Sequence, residues 1–352
     1  MSITFYGHFS GWSSYPVVCR AISTHLWREG VDHEVCDLRP GPGYLTLQAS
    51  EPEPVPYKPV SKGHRESVLR TSAMLQITDM EHAPPLGPAP GIGLVFGFPE
   101  WVSAVPQHEV MLGYHVCDFE AIPPHWVTIM NAHLGRVLTP SYWCHDAFRN
   151  AGVETPITVI PHGFDPRIFR PAFEEAAEPK SILHLCSALD AKRKGTRLML
   201  DTFALPELEG WTLTIRTQSP HVAQWVRAHP RRVDIRIDTG HPMPPTEMAR
   251  YYRQFELTVA PSIAEGFGMV PLETAACGCK IVHFAATGCR MYERELPGSR
   301  VRTNVEALCH DIQRATKMEE LTGARNVDLQ RLQSWHWSRV LQPLSSLLRS
   351  LA

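Results

Sequence analysis

One stretch in the second half of the sequence constrains the fold more than any other. Leu257 to Ala260 is a short apolar run, Glu265 to Gly268 contains two glycines, and Met269 to Cys277 has the pattern of a helix. Pro271 lies in the first turn of that helix, where its missing N–H removes no intrahelical hydrogen bond. The pattern predicts a strand, a loop and a helix N-terminus, the succession from which doubly wound α/β domains are built.

The predicted helix N-terminus suits an anionic or hydroxyl-rich ligand, because its free N–H groups lie at the positive end of the helix dipole. Glu265 and Glu273 are eight positions apart, just over two helical turns. We therefore expect Glu265 in the mouth of the loop and Glu273 on the same side within the helix, both within reach of one elongated ligand. The residues that can offer backbone N–H groups are Phe267, Gly268, Met269 and Val270.

The run E-G-F-G-M-V-P-L-E-T-A-A-C-G resembles the Glu-x7-Glu signature of retaining GT-B glycosyltransferases, in particular of glycosyltransferase family 4. The resemblance implies that Glu265 hydrogen-bonds hydroxyls of the donor sugar and that Glu273 binds the nucleotide ribose. It also implies that the amides of Gly266 to Val270 hold the sugar and its diphosphate. The alternative interpretation is an ordinary strand-to-helix turn with a buried glycine and a pair of surface glutamates.

The length and composition of the chain agree with this resemblance. A chain of 352 residues is too long for one ordinary core and suits two α/β domains with a cleft between them. Its 43% of hydrophobic and 20% of charged residues are typical of a globular protein, and the formal net charge of −2 gives no overall basic signal. Binding to nucleic acid or to an anionic membrane would need a local basic patch.

Targeting and cysteine signals are weak. No apolar run reaches the length of about eighteen residues that a membrane-spanning helix needs. Met1 to Gly7 has the pattern of a polar-flanked strand and not of a signal peptide, so no transmembrane segment and a cytoplasmic location are predicted. The nine cysteines show neither a paired framework nor zinc spacing, which predicts reduced, buried thiols.

The first half begins with a strand pattern over Ile3 to Tyr6, a loop of small residues, and a helical pattern over Val17 to Trp27. In the family this loop lies over the cleft, so the resemblance implies ligand contacts from Gly11 and Ser13. A plain β–α connection is the alternative.

A second strand is predicted at His33 to Leu38. The segment after it, Pro40 to Pro59, is too rich in Pro, Glu and Gly for a regular element and is predicted to be an inserted loop. A basic cluster follows it, for which a solvated charged face and an acceptor-binding patch are both open. It consists of Lys58, Lys62, His64, Arg65 and Arg70, with Tyr57 as an adjacent aromatic residue.

Two further strands are predicted at Gly93 to Gly97 and Met111 to Val116. His115 matches in position a cleft histidine that family members aim at the donor sugar, and Glu120 lies where one branch carries an aromatic-Glu pair. For each residue, an ordinary hydrogen-bonded core position is the alternative.

The segments Leu138 to Ser141 and Ile160 to Pro171 resemble the family's V-P-S and P-x-G-x-D-x-x-x-F-x-P elements, and the second commonly marks the interdomain crossing. We therefore predict an acceptor-binding domain over residues 1–172 and a nucleotide-sugar-binding domain over residues 173–334. A final helix over residues 335–352 is predicted to return to the N-terminal domain.

A cationic loop follows the first strand of the second half. It begins at Ser187, a further candidate for ligand contact, and resembles the family's G-R-L-x-x-x-K-G loop, whose Arg and Lys neutralise the donor diphosphate. Lys194 matches the Lys, but Ala188 occupies the place of the Arg. Arg193 or Lys192 would have to supply the second charge. Thr287, Gly288 and Glu293 resemble the family's later G-x-x-E element.

Together these resemblances imply the GT-B fold, with two Rossmann-like doubly wound domains facing across a cleft. They imply a retaining glycosyltransferase that moves a sugar from a UDP- or GDP-sugar to an acceptor hydroxyl. No metal is expected, because Lys194, Arg193 and the helix terminus replace it and no D-x-D unit ends a strand. Glu265 would position the sugar and not act as the nucleophile.

Several alternatives remain. The acceptor is a glycan, a small molecule, a protein side chain or a hydroxymethylated pyrimidine in DNA; for DNA, residues 57–70 with Arg227, Arg231, Arg232 and Arg236 would line a phosphate track. A sugar-nucleotide epimerase shares the two-domain fold, and a non-catalytic nucleotide-binding protein would explain Ala188.

Overall fold

The computed structural model describes residues 2–38, 58–59, 87–119, 121–172, 177–186, 192–228, 234–296, 304–322 and 329–352. The chain divides into two compact units, one formed by Met1–His162 with Trp337–Ala352 and the other by Gly163–His336. The boundary between the two compact units thus lies after His162, whereas the boundary predicted from the sequence lies at residue 172.

Each unit contains one parallel sheet, and the strands are numbered in chain order. They are β1 (Ile3–Gly7), β2 (Glu34–Asp37), β3 (Lys58–Pro59), β4 (Pro88–Phe96), β5 (Gln107–Tyr114), β6 (Arg136–Thr139), β7 (Ile157–Val159), β8 (Glu178–Leu185), β9 (Thr212–Arg216), β10 (Ile235–Asp238), β11 (Phe255–Ala260) and β12 (Lys280–His283). The order is β3-β2-β1-β4-β5-β6-β7 in the first unit and β10-β9-β8-β11-β12 in the second. Both orders are doubly wound and reverse beside the first strand of the unit, where such folds bind ligands.

Ten α-helices lie in the described part of the chain. They are α1 (Ser14–Arg28), α2 (Pro124–His133), α3 (Tyr142–Asn150), α4 (Thr196–Phe203), α5 (Pro220–Ala228), α6 (Pro245–Arg253), α7 (Met269–Ala276), α8 (Val305–Thr322), α9 (Trp337–Val340) and α10 (Gln342–Leu351). None of these helices is long and apolar enough to cross a membrane.

The central strands are buried because helices cover the sheets, which is why they read as apolar runs. All five residues of β1 are buried. In the second unit, Ile182, Leu257 and Val259 on β8 and β11 pack in one core with Leu308 and Ile312 of α8. All nine cysteines are buried, as predicted.

The end of the chain packs within the first unit. His25 Nε2 of α1 lies 3.2 Å from Ser345 Oγ of α10, and Arg349 donates to the Glu29 carbonyl oxygen at 2.6 Å. The single final helix predicted over residues 335–352 is wrong in two respects. Trp335 ends a 3₁₀ turn, so the α-helical part begins at Trp337. It is divided into α9 and α10, because Pro343 has no N–H and begins a new helix.

Several predictions fall on residues that the structure does not describe. Residues 40–57 of the predicted inserted loop, Tyr57, Lys62, His64, Arg65 and Arg70 of the basic cluster, and Glu120, Ser187, Ala188, Arg231 and Arg232 lie outside the described residues. The backbone of Lys58 and Pro59, the last two residues of the predicted inserted loop, forms β3 and pairs in parallel with β2.

Candidate active site

The site begins where two loops meet at the carboxyl edge of the second sheet. One loop joins β8 to α4, the other joins β11 to α7, and β8 and β11 are neighbouring parallel strands. Ile263 donates its N–H to the Arg193 carbonyl oxygen at 2.9 Å, which ties the two loops together. Gly195 has a φ of +70°, and a Cβ there would overlap the Pro261 carbonyl oxygen. Only glycine allows this approach of the two backbones.

Glu265 lies where these two loops meet, a place that we call the junction, and its carboxylate pairs with two cationic side chains. Lys194 Nζ is 2.5 Å from its Oε1, and an Arg193 guanidinium nitrogen is 3.1 Å from its Oε2. Arg193 also donates to the Ala264 carbonyl oxygen at 2.8 Å. Burial raises the pKa of Glu265, but the charges of Lys194 and Arg193 outweigh it and hold that pKa below its usual value. The carboxylate is therefore ionised and paired.

These contacts concern the arginine of the family's cationic loop, whose place is occupied by Ala188 in this sequence. Of the two residues that remained as its replacement, Arg193 reaches the Glu265 carboxylate and Lys192 is exposed to solvent. Arg193 is therefore the second cation of this junction.

The loop enters α7 at Gly268, which has a φ of +80°, and no side chain among the described residues caps the helix. Met269 and Val270 are half-buried, whereas Phe267 is buried against Tyr292 and Trp335 at ring-centroid distances of 5.7 and 5.9 Å. The aromatic packing holds the loop from one side and leaves the first amides of α7 without a side-chain acceptor.

Glu273 lies within α7 and is as buried as Glu265, at 8% exposure. Its Oε2 accepts a hydrogen bond from the Tyr252 hydroxyl at 3.0 Å. Among the described residues no cation balances this carboxyl, and burial raises its pKa to about 7. The alternative of a pair of surface glutamates is wrong, since both side chains are buried and their electrostatic states differ.

His184 is a part of the junction that sequence patterns missed. Its Nδ1 donates to the Val259 carbonyl oxygen at 3.1 Å, and the Thr196 hydroxyl lies 2.9 Å from its Nε2. Burial lowers the pKa of His184 to about 4, so the ring is neutral and links β8, β11 and the start of α4. A lone polar residue within an apolar strand was the available signal.

His115, predicted to aim at a donor sugar, lies in the first unit directly after β5. The side chain is fully buried, and its Nδ1 donates to the Gly97 carbonyl oxygen at 2.8 Å. Burial lowers the pKa of His115 to about 4. Its Nε2 has no hydrogen-bond partner among the described residues, which leaves an acceptor on a neutral imidazole.

The loop that carries Gly11 and Ser13 is held by two charged side chains. Asp37 accepts from the Phe9 N–H at 2.9 Å, and Arg20 donates to the Gly11 carbonyl oxygen at 2.8 Å. Burial opposes ionisation of Asp37, but the hydrogen bonds it accepts lower its pKa to about 2. Ser13 precedes α1 without a side-chain capping bond in the described part of the chain.

Two observations concern the remaining predictions. Arg236, a proposed member of a phosphate track, pairs with Glu178 at 3.0 Å. Within the described ranges, no group of three or more His, Cys, Asp or Glu residues is placed to hold a metal ion.

Comparisons with known proteins address the fold and the second unit. Over the whole chain, the structure is similar to sucrose-phosphate synthase from Thermosynechococcus elongatus, with a TM-score of 0.71, 17% identity and 99% of that chain covered. It is also similar to HepE of Anabaena in complex with UDP-glucose, with a TM-score of 0.69, 15% identity and all of both chains covered. This chain has the GT-B fold. The fold class predicted from the sequence is confirmed.

Residues 179–317 of this GT-B protein match the family model described as Glycosyl transferases group 1. The matched segment contains Lys194, Glu265 and Glu273. This chain is 32% identical over 149 residues to the lipopolysaccharide core biosynthesis mannosyltransferase LpsB of Rhizobium meliloti, covering 38% of this chain and 41% of that protein. A D-inositol 3-phosphate glycosyltransferase of Catenulispora acidiphila is 34% identical over 112 residues, covering 31% of this chain and 27% of that protein. The alignments thus span about two fifths or less of these relatives.

Proposed function

We propose that this protein is a retaining glycosyltransferase that moves a sugar from a UDP- or GDP-sugar to an acceptor hydroxyl. The observation that carries the proposal is the convergence of Lys194, Arg193 and Glu265 beside the uncapped start of α7. The group 1 family match over the same residues and the UDP-glucose bound by the HepE neighbour support it.

In this proposal, different residues of the junction bind the three parts of the donor: the diphosphate, the sugar and the ribose. The diphosphate is held by Lys194, Arg193 and the amides of residues 266–270, where cations and a helix N-terminus favour negative charge. Glu265 accepts hydrogen bonds from the sugar hydroxyls, and Glu273 accepts them from the ribose. Ser187, Gly11 and Ser13 remain proposed contacts, and His115 Nε2 is a proposed acceptor for a sugar hydroxyl.

The chemical step follows from where charge develops. As the glycosidic bond breaks, negative charge grows on the leaving diphosphate, and Lys194 and Arg193 stabilise it in place of a metal ion. The acceptor hydroxyl attacks from the same face, and the leaving diphosphate takes its proton, so the anomeric configuration is retained. Glu265 is already paired with two cations, which makes it a weak nucleophile and suits it to orienting the sugar.

The acceptor is proposed to be a glycan or a small molecule. The relatives are named for transfer in lipopolysaccharide core synthesis and to D-inositol 3-phosphate, so enzymes that are similar to part of this chain serve both classes. A protein side chain and a hydroxymethylated pyrimidine in DNA stay as alternatives. The pairing of Arg236 with Glu178 weakens the DNA alternative, because it removes one cation from the proposed track.

The test is a thermal-shift panel of UDP- and GDP-sugars. One of them should raise the melting temperature, since a ligand at 100 times its Kd stabilises the folded state by about 2.7 kcal/mol. The shift should be lost in Lys194→Ala. Incubation of that donor with candidate acceptors, followed by NMR of the product, should then show the donor's anomeric configuration.

Two outcomes would replace the proposal. Interconversion of the sugar epimers without an acceptor would indicate an epimerase. Tight donor binding without hydrolysis or transfer under any acceptor would indicate a non-catalytic binding protein.

A further inference from the structure

A short 3₁₀ turn after β12, Thr287–Tyr292, lies directly against the loop that carries Glu265; we call it the bracing turn. Three hydrogen bonds of 2.8 Å join them. The Glu265 N–H donates to Thr287 Oγ1, the Gly288 N–H donates to the Glu265 carbonyl oxygen, and the Tyr292 hydroxyl donates to the Gly268 carbonyl oxygen. The bracing turn therefore holds both ends of the Glu265–Gly268 loop.

The contact between the two segments is at backbone distance. A Cβ added at Gly288 would overlap the carbonyl oxygen of Gly266. A Cβ added at Gly268 would lie 2.5 Å from Cys289 Sγ and 2.9 Å from the Tyr292 hydroxyl oxygen. The loop thus cannot shift toward the bracing turn, and its conformation is set by it.

Thr287 has a backbone conformation that is unfavourable for its type. Its φ is 50°, in the left-handed region, where a β-branched residue is an outlier. In this conformation Thr287 Oγ1 accepts the N–H of Glu265. Strained residues persist where their surroundings fix them and concentrate at functional sites. Here the strained residue fixes the backbone of the residue proposed to orient the sugar.

Tyr292 acts on the other end of the loop. It is fully buried, and its ring packs 5.7 Å from Phe267 and 5.8 Å from Trp335. Burial raises the pKa of Tyr292, so its hydroxyl remains a donor to the Gly268 carbonyl oxygen. In a trans peptide the C=O and the following N–H point in opposite directions. Anchoring the Gly268 carbonyl therefore directs the Met269 N–H away from Tyr292.

We propose that Thr287 and Tyr292 are positioning residues for the donor. Thr287 sets the direction of the Glu265 side chain toward the sugar, and Tyr292 aims the Met269 N–H at the diphosphate. Neither residue contacts the ligand. This inference rests on the proposed function and extends it to residues outside the Glu-x7-Glu run.

The two roles give different binding signatures, which isothermal titration calorimetry can separate. The probes are UDP, GDP and the sugar conjugate of whichever nucleotide the wild-type protein binds. Tyr292→Phe should weaken the nucleoside diphosphate and its sugar conjugate alike, by about five- to tenfold, the scale of one net hydrogen bond. Thr287→Gly should weaken the sugar conjugate by a similar factor and leave the free nucleoside diphosphate within about twofold.

Matched variants separate positioning from stability. Tyr251→Phe removes a part-buried hydroxyl that donates to Asp238, in the same unit, and should bind the probes like the wild type. Thr287→Ser keeps Oγ1 and should retain sugar-conjugate binding. Thr287→Gly relieves the left-handed strain while losing one hydrogen bond, so its melting temperature should stay within about 4 °C of the wild type.

The result decides the inference separately from the proposed function. If the wild-type protein binds no UDP- or GDP-linked ligand, the proposed function fails. If it binds one and Tyr292→Phe binds equally well, or if Thr287→Ser is as impaired as Thr287→Gly, the bracing turn has no positioning role.

Discussion

At the scale of single residues, the two glutamates of the site differ in the ionisation of their carboxyl groups. Both are buried, but Glu265 is ionised and held by two cations, whereas Glu273 accepts a hydrogen bond from the Tyr252 hydroxyl and has no cationic partner in the described part of the chain. Desolvation acts on both, and the presence or absence of a nearby cation determines the outcome. The same residue type thus offers a fixed anion at one position and a titratable group at the other.

The orienting role of Glu265 predicts a graded loss of activity. Glu265→Gln should keep part of the hydrogen-bond network, and Glu265→Ala should reduce kcat/KM by about ten- to a few hundredfold, with retained configuration in both. Product NMR and steady-state kinetics measure the two quantities. Glu256→Gln is the control, because Glu256 pairs with Lys280 at 3.1 Å elsewhere in the same unit. A glycosyl adduct on Glu265 or an inverted product would contradict this role.

The charge of Lys194 predicts an effect on the chemical step itself. Lys194→Ala should lower kcat by about two orders of magnitude, the scale of one preorganised group that stabilises developing charge. Arg193→Ala should also be impaired, and Lys192→Ala should not, since Lys192 is exposed. Single-turnover kinetics separate this loss from donor binding. Activity of Lys194→Ala within about threefold of wild type would leave the diphosphate contact to Arg193.

The buried carboxyl of Glu273 should make the stability of the fold depend on pH, and its burial fixes the sign of that dependence. The pKa of its carboxyl is raised from a usual value of 4.5 to about 7, so folding favours the neutral acid. Its stabilising contribution is complete below about pH 4.5 and is lost as the pH rises through 7. In urea unfolding, the free energy of unfolding of the wild type should fall relative to that of Glu273→Gln between pH 4.5 and pH 7, because glutamine does not titrate.

Nucleotide binding should show the opposite trend. Ribose hydroxyls donate to the ionised carboxylate, so the affinity for the nucleoside diphosphate should rise as the pH passes 7 in the wild type. In Glu273→Gln it should be weaker and flat over the same interval. A wild-type affinity that does not change with pH would remove Glu273 from the ribose contact.

At the scale of elements, the junction depends on how closely two loops approach. Gly195→Ala should lower the free energy of unfolding by at least about 3 kcal/mol, since it combines a left-handed backbone with overlap of Pro261. Gly210→Ala is the matched control: its φ is +79°, but its nearest neighbour is 3.9 Å away. It should cost only about 1 kcal/mol. Chemical denaturation measures both, and equal losses would show that the loops separate easily.

The sequence predicted the elements of the site better than their contacts. Strands β8 and β11 and helix α7 were predictable because buried parallel strands are apolar runs and because glycines and Pro271 mark the helix start. The pairing of Lys194 with Glu265 was not, since the two residues are 71 positions apart and no local pattern joins them. The strain at Thr287 left no signal either, because threonine gives no reason to expect a positive φ.

At the scale of the whole molecule, each unit has its own sheet and core, and α10 belongs to the first. Leu348→Ala should therefore lower the stability of the first unit by about 2 to 5 kcal/mol, as expected for a fully buried leucine. Leu347→Ala, at a half-buried position of the same helix, should cost less. In urea unfolding, whichever of UDP and GDP the wild-type protein binds should protect the transition of the second unit in both variants. A loss confined to that second transition would contradict the assignment of α10.

The placement of α9 and α10 also bears on the order in which this protein matures on the ribosome. Residues 337–352 follow the second unit in the chain and yet pack against α1 of the first. The second unit is a continuous segment and has all of its residues as soon as His336 has emerged. The first unit, although its strands are made earlier, waits for the second to be translated before Leu344 and Leu348 can cover its core. The half whose synthesis begins first is therefore the half that is last to have all of its residues.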